Sequence, residues 1–105
     1  MIAKTTKPPY YAVIFTSERT KNNNGYSKTA IRMEELAKKE AGFLGMEAAR
    51  SELGITVSYW NSLEAIQHWK ENVAHSEARE KGRSDWYKAF KVRICKVEKE
   101  YGFEK

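Results

Sequence analysis

The chain has 105 residues, which is enough for one small domain and too few for two. Its 41% hydrophobic and 31% charged residues are typical of a globular domain and exclude a disordered chain, because enough apolar surface is available to offset the entropy of ordering. The net charge of +5 arises from Lys and Arg interspersed with Glu, as in RMEELAKKE, which favours a solvated surface over a basic groove for nucleic acid.

The first third of the chain predicts a strand followed by a helix. A polar leader, 1–9, precedes the segment YYAVIFTS, 10–17, whose aromatic and β-branched residues are typical of a strand. The polar segment 18–26 predicts a loop. Ser27 is the predicted N-cap of a helix with one apolar stripe, and Gly42 is the predicted end of that helix.

The middle third predicts a hairpin and a second helix. The segments 43–51 and 54–61 are predicted strands joined by a short turn, so we expect them to pair antiparallel. Asn61, with Glu64 three residues later, is similar to a capping box and predicts the start of the helix. One face of this helix carries its large apolar residues: Leu63, Ile66, Trp69 and Val73.

The last third predicts a short turn of helix at SDWYKAF and a long strand over 89–103. The predicted order, β-α-β-β-α-β, is that of the α+β ferredoxin-like fold, an antiparallel sheet with both helices on one face. We expect a single domain, 1–105, with its core in 10–103. The first and last strands are apolar on both alternating sets of residues, which is more than a sheet with one buried face requires. The open sheet face is therefore predicted to be covered by an identical subunit in a homodimer.

Trp69 and His75 are the two residues of the second helix that invite a functional interpretation. Trp69 lies within the apolar stripe, so it is a core residue unless a cavity adjoins that stripe. His68, Asn72 and His75 lie on nearly the opposite face, and the two His are about 10 Å apart along the axis, too far for one metal ion. His75 therefore faces solvent in a straight helix and reaches a pocket only if the helix breaks after Asn72. No metal site is predicted.

Four aromatic residues beside the strand ends also have two interpretations. Such residues form a core or a dimer surface, or they line a cavity with a few polar groups, which suits a flat aromatic ligand. The four residues are Tyr59, Trp60, Trp86 and Tyr87. The strong sequence signals of enzymes, such as a glycine-rich phosphate loop or a nucleophile elbow, do not occur in the chain.

The single cysteine and the N-terminal sequence predict the compartment. Cys95 has no partner for an intrachain disulfide, and within the last predicted strand it is most simply a small buried hydrophobic residue. The N-terminal residues carry no apolar run of signal-peptide length, and the longest apolar stretches are far short of a membrane span. We therefore expect a cytoplasmic protein without membrane contact.

A sequence pattern runs from the end of the hairpin to the start of the last strand. It reads W-N-S-x-E-A-I-x-x-W-K, then N-x-x-H-x-x-A-x-x-x-G, then W-Y, and its residues are Trp60, Asn61, Ser62, Glu64, Ala65, Ile66, Trp69, Lys70, Asn72, His75, Ala78, Gly82, Trp86 and Tyr87. With this pattern the chain resembles the antibiotic biosynthesis monooxygenase family of the dimeric α+β barrel superfamily. The resemblance implies a homodimer whose two sheets face each other as a barrel, with a pocket between sheet and helices in each subunit.

The resemblance also implies a chemistry. Some members of the family oxygenate polycyclic aromatic substrates without flavin, haem or metal, because a deprotonated phenol or anthrone can itself reduce O2. On this interpretation the chain needs no cofactor and binds a small aromatic or hydrophobic ligand. Trp69 would form a wall of the pocket, and His75 or Tyr87 would be the base or the proton relay. The residues expected to bind the substrate are Tyr59, Trp60, Asn72 and Trp86.

Three alternative functions stay open at this point. Other members of the family degrade haem, but their proximal His lies ten residues after the Trp that Trp69 matches, where this chain has Arg79, and their first strand carries an Asn that this chain lacks. A non-catalytic dimeric domain that binds a hydrophobic metabolite is the second alternative, and an exposed His75 would favour it. The third alternative, RNA binding, lacks its basic-aromatic signature, so no nucleic-acid partner is expected.

Overall fold

The computed structural model describes the backbone of residues 1–77 and 83–105 and the side chains of residues 1–73 and 85–105. The helices and strands of these residues are β1 (Tyr10–Arg19), α1 (Tyr26–Lys38), β2 (Phe43–Arg50), β3 (Leu53–Trp60), α2 (Leu63–Glu77), α3 (Arg83–Trp86) and β4 (Tyr87–Val97). None of the helices in these residues is long and apolar enough to cross a membrane.

The four strands form one antiparallel sheet in the order β2-β3-β1-β4. This order places the first and third strands in the centre, and it is the order of the ferredoxin-like fold. The α+β fold class predicted from the sequence is confirmed. The hairpin prediction is also confirmed, because β2 and β3 pair along their length from Phe43 opposite Trp60 to Arg50 opposite Gly54.

The ends of α1 differ from the sequence prediction. The helix begins at Tyr26, and the residue before it is Gly25, whose φ of 75° is left-handed; Ser27 is therefore inside the helix and is not its N-cap. The helix ends at Lys38, four residues before Gly42. Gly42 instead turns the chain into β2 with a φ of 89°, and a Cβ at this position would lie 2.7 Å from the Ala65 Cβ.

Two further boundaries were wrong for local reasons. The hydroxyl of Ser62 accepts a hydrogen bond from the backbone N of Ala65 at 3.0 Å, so Ser62, and not Asn61, caps α2. The last strand ends at Val97 and not at residue 103. Val97 lies opposite Tyr10, the first residue of β1, so β4 has no partner strand beyond this point.

The sheet has a helix face and an open face, and side chains alternate between them along each strand. The helix face carries Tyr11, Val13 and Phe15 of β1. Its core consists of Ala37 of α1, Trp60 of β3 and Ile66 of α2, against which Tyr11 and Val13 pack.

The open face is the opposite side of the sheet, which neither α1 nor α2 covers. The leader crosses its β2 side: the backbone N of Ala3 donates to Glu47 Oε2 at 2.9 Å, and a Cβ at Gly45 would lie 3.0 Å from the Ala3 Cβ. On the central strands this face carries Ile14 and Val57, and Ile55 is 41% exposed, whereas Lys91 and Arg93 of β4 add positive charge to the same face. Cys95 is exposed on the same face, so the prediction that it is buried was wrong for the single chain. Its strand, β4, is an edge strand that no described element of the same chain covers on that side.

Candidate functional site

Trp60 and Trp69, two predicted site residues, meet in the core of the helix face. Their ring centroids are 6.0 Å apart with an interplanar angle of 26°, and Phe43 meets the Trp60 ring edge-on at 5.4 Å. Trp60 is fully buried, and its indole N donates to the Ser58 hydroxyl at 2.9 Å. Because its ring is buried and its indole N–H is already paired, Trp60 stabilises the core and offers no surface to a ligand. Of these two tryptophans, only Trp69, which is half-buried, can face a ligand.

A second group of aromatic side chains lies further along β1 on the same face of the sheet. We call it the five-ring cluster, and it consists of Phe15, Tyr26, Trp86, Tyr87 and Phe90. Phe15 lies 5.5 Å from both Tyr87 and Phe90, and Tyr26 lies 5.9 Å from Trp86 and 6.1 Å from Tyr87. The cluster therefore joins β1, the first residue of α1, α3 and the start of β4.

Hydrogen bonds from the loop after β1 hold the cluster in place. The indole N of Trp86 donates to the backbone O of Asn24 at 2.7 Å, and the backbone N of Thr20 donates to the Trp86 carbonyl at 2.8 Å. Arg19 donates to the same carbonyl at 3.2 Å and places its guanidinium 3.3 Å from the centre of the Tyr26 ring. The polar loop predicted from the sequence thus packs against aromatic residues through its backbone.

Tyr87 is the polar centre of this cluster. Burial, together with its hydrogen bond to the Tyr26 side chain, raises the pKa of Tyr87 to about 12, although Arg50 and Arg19 act in the opposite direction. At neutral pH the side chain is consequently a phenol that can donate a proton or a hydrogen bond. This pKa favours Tyr87 as a proton relay and argues against it as a general base.

An accessible apolar strip borders the cluster on β4. Phe90, Val92 and Ile94 are each nearly half-exposed. Val92 lies opposite Phe15, and Ile94 lies opposite Val13, so all three side chains are on the helix face. A flat apolar ligand can therefore reach Tyr87 along this edge of the sheet.

The other predicted site residues lie elsewhere. Tyr59 is on the open face, where its hydroxyl donates to Glu47 Oε1 at 2.5 Å and its ring meets Tyr10 edge-on at 5.8 Å. Asn72 lies on the exposed side of α2, where its amide donates to Glu40. His75 belongs to α2, which continues from Leu63 to Glu77 without the break after Asn72 that the sequence analysis required, and its side chain lies outside the described residues. Trp86 and Tyr87 are thus brought together, whereas Tyr59 and Asn72 do not join them within one chain.

His68 forms a pH-dependent contact with Glu40, and the titration of His68 can be measured without an activity assay. Its Nδ1 lies 3.0 Å from Glu40 Oε2, and the hydrogen bond to this carboxylate raises the pKa of His68 while it lowers the pKa of Glu40. Because the pKa of His68 is raised in the fold, its contribution to stability is present in acid and is lost as the pH rises through that pKa. We expect the Glu40→Gln substitution to return the pKa of His68, followed by proton NMR, towards 6.5. An unchanged titration curve would contradict the contact.

Sequence reasoning did not find Phe15, Tyr26, Arg19 and Arg50 as candidates. Phe15 is only one of the alternating apolar residues of the first predicted strand, and Tyr26 falls in the predicted loop 18–26. Arg50 carried a usable signal, because it stands at the end of one hairpin strand and Gly54 is the first glycine after the turn, so a long side chain can cross above it. Among the described residues, no group of three or more His, Cys, Asp or Glu is placed to hold a metal ion.

Comparison with known proteins gives the family. No protein-family model matches the chain. YqjZ of Bacillus subtilis strain 168, an uncharacterized protein, is 50% identical over 105 residues, which cover 98% of this chain and 92% of YqjZ. The chain belongs to the same family as YqjZ.

Solved structures place this YqjZ-family chain in a known fold. SnoaB of Streptomyces nogalater, a cofactor-independent oxygenase, aligns with a TM-score of 0.70 and 8% identity over 89% of this chain and 97% of SnoaB. PA3566 of Pseudomonas aeruginosa aligns with a TM-score of 0.65 and 15% identity over 91% of this chain and 99% of its own. A protein of Nitrosomonas europaea is named as an antibiotic biosynthesis monooxygenase whose activity is inferred. It aligns with a TM-score of 0.67 and 14% identity over 90% of this chain and 94% of its own. The fold is that of the antibiotic biosynthesis monooxygenase family, as the sequence pattern predicts.

Proposed function

We propose that this protein oxygenates a small aromatic substrate at the five-ring cluster without a cofactor. The observation that carries the proposal is the position of Tyr87, a neutral phenol among aromatic rings beside a half-exposed apolar strip. An aromatic wall with one donor suits a flat substrate that must be oriented and kept partly dry. The fold that the chain shares with SnoaB supports the proposal, since SnoaB is a cofactor-independent oxygenase.

The proposed substrate has a methylene carbon between aromatic rings, as in an anthrone. A base removes one proton from this carbon, and the resulting carbanion gives one electron to O2. The carbon radical and the superoxide formed in this step combine and make a C–O bond, and a proton then completes the hydroperoxide. Loss of water then leaves a ketone, so one oxygen atom enters the product and the other becomes water. The methylene carbon supplies all four electrons, which is why the reaction needs no cofactor.

The chain offers one residue for each of the two proton transfers. Tyr87, with its pKa raised to about 12, is the proposed donor to the peroxide oxygen. A base for neutral pH needs a pKa near that of an ordinary His, and His68 is occupied by Glu40 on the outer side of α2. We therefore assign the base to His75, the other imidazole of α2. Because α2 continues from Leu63 to Glu77 without a break, this assignment requires the last turn of the helix to open after Asn72 when the substrate binds. The half-buried Trp69 is assigned to a wall of the pocket.

Oxygen uptake with dihydroxyanthrone as the probe tests the assignment of Tyr87. We expect Tyr87→Phe to lower kcat by roughly tenfold or more and to leave KM within about twofold, because the ring stays and only the donor is removed. Tyr101→Phe, which removes the same hydroxyl from a fully exposed tyrosine, should match the wild type. A Tyr87→Phe variant with unchanged kcat would contradict the role. Binding of the probe without oxygen uptake by the wild type would instead support a ligand-binding domain.

The second part of the proposal is a homodimer through the open face. Ile14 and Val57 lie side by side on this face, Ile55 is 41% exposed, and Cys95 is exposed as well. Apolar side chains on both central strands of the open face are at least partly exposed, and a second copy presents the same surface around a two-fold axis and can cover them. The proposed occupant of the open face is therefore the open face of an identical subunit.

Light scattering after size exclusion tests the dimer. We expect a mass of twice 12.2 kDa for the wild type and 12.2 kDa for Val57→Lys, because the variant places a longer, charged side chain, which would have to lose its water, between the sheets. Ile31→Lys makes the same kind of change at a residue of α1 that is 57% exposed, and it should leave the dimer intact. A monomeric wild type, or a Val57→Lys variant that stays dimeric, would contradict this interface.

A further inference from the structure

The side chain of Arg50 takes an unusual path across the helix face. Arg50 is the last residue of β2, and it lies opposite Gly54 at the start of β3. Its guanidinium passes directly above Gly54, where a Cβ would overlap it, and donates a hydrogen bond to the Ser17 hydroxyl on β1. Gly54 therefore opens the route by which a residue of the outer strand reaches the central strand.

The charge of Arg50 has no counter-charge in the described part of the chain. Its partner, Ser17, is a neutral hydroxyl that is only 2% exposed, and no carboxylate of the described residues forms an ion pair with Arg50. The neighbouring Arg19 differs, because it donates to the carbonyls of Trp86 and Asn22 and to the Asn23 side chain. Arg50 is exposed and keeps several N–H donors for a ligand.

Arg50 also stands next to the five-ring cluster. Ser17 follows Phe15 by two residues on β1, so the two side chains share a face and are about 7 Å apart along the strand. Phe90 lies opposite Ser17 on β4 and meets Phe15 at 5.5 Å. The guanidinium on Ser17 therefore lies at one end of an aromatic surface, at a distance that a fused bicyclic ligand spans.

We propose that Arg50, held over Gly54 by Ser17, binds the carboxylate of an aromatic acid whose rings pack on Phe15 and Phe90. The planar fork of a guanidinium matches a carboxylate with two parallel hydrogen bonds, which fixes the orientation of the attached ring. The carboxylate would anchor the acid so that its ring system lies beside Tyr87. This inference rests on the proposed function only where it treats the acid as a substrate, since the binding itself needs no turnover.

Equilibrium dialysis of the full chain tests the proposal. The two probes are 2-naphthoate and the neutral alcohol of the same ring system. We expect the wild type to bind 2-naphthoate about three- to tenfold more tightly than the alcohol, with the difference shrinking at high salt. Arg50→Gln should abolish the difference and leave the affinity for the alcohol unchanged. Arg50→Lys should retain part of it, because the charge remains but the planar fork is lost.

Two further variants separate position from charge. Gly54→Ala keeps the charge of Arg50 but fills the space that its guanidinium occupies, so it should weaken 2-naphthoate binding as Arg50→Gln does. Lys99→Gln removes one positive charge beyond the end of β4 and should change nothing.

The outcomes distinguish the carboxylate site from the proposed function. Equal affinities of the wild type for the acid and the alcohol, or an Arg50→Gln variant that still prefers the acid, would overturn the carboxylate site and leave the aromatic cluster standing. Absence of binding for both probes would overturn the carboxylate site together with the assignment of the five-ring cluster as a ligand site. Acid-selective binding without oxygen uptake from dihydroxyanthrone would support the site and count against the oxygenase.

Discussion

Replacement of Trp60 by Ala is expected to lower the free energy of unfolding by about 3–5 kcal/mol. Trp60 is fully buried, it contacts the rings of Phe43 and Trp69, and its indole N is already paired with Ser58. Truncation therefore removes apolar burial from the centre of the core and leaves a cavity there. Since small domains have stabilities of about 5–15 kcal/mol, this single change removes a large share of the total.

Chemical denaturation followed by circular dichroism measures this loss. Tyr101→Ala is the matched control, because it truncates an aromatic residue that is fully exposed and should alter stability by less than about 0.5 kcal/mol. A loss below about 1.5 kcal/mol for Trp60→Ala would contradict the placement of Trp60 in the core and would reopen its predicted role in substrate binding.

Replacement of His75 by Ala is expected to lower the rate of oxygen uptake by roughly 10²–10⁴-fold, the usual effect of removing a general base. The expectation follows from the pKa of Tyr87, which is raised to about 12 and leaves Tyr87 unsuited to take a proton at neutral pH. Activity of the wild type should accordingly rise with pH, because the base must lose its own proton before it can take one from the substrate.

His68→Ala is the control for this experiment, since it removes the other imidazole of α2. His68 lies on the exposed side of the helix and pairs with Glu40, so its loss should leave kcat nearly unchanged. If His68→Ala and His75→Ala lose activity equally, the imidazoles act through helix stability and not through chemistry. Unchanged uptake by His75→Ala would exclude it as the base.

The features that the sequence predicts well depend on local periodicity. Alternation of apolar residues gave the four strands, the 3.6-residue stripe gave α2, and the order of these elements then leaves few topologies. Trp69 follows the same logic, because a residue in the apolar stripe of a helix packs against the sheet, and it does so against Trp60.

The features that were missed depend on contacts between distant segments. The N-cap of α1 moved because Gly25 adopts a left-handed conformation, which sequence alone allowed but did not require. Cys95 is exposed because no described element of the same chain packs against the open face at β4. The path of Arg50 to Ser17 joins residues 33 positions apart and depends on the register of two strand pairs. Local patterns do not encode that register.

Incorporation of 18O2 during turnover of dihydroxyanthrone is the measurement that tests the oxygenase most directly. The protein should first be dialysed against a chelator and shown by absorption to carry no flavin or haem. We expect one labelled oxygen in the ketone product, the other in water, and one O2 consumed for each ketone formed. A ketone whose oxygen comes from water, or a rate no higher than in buffer, would contradict it.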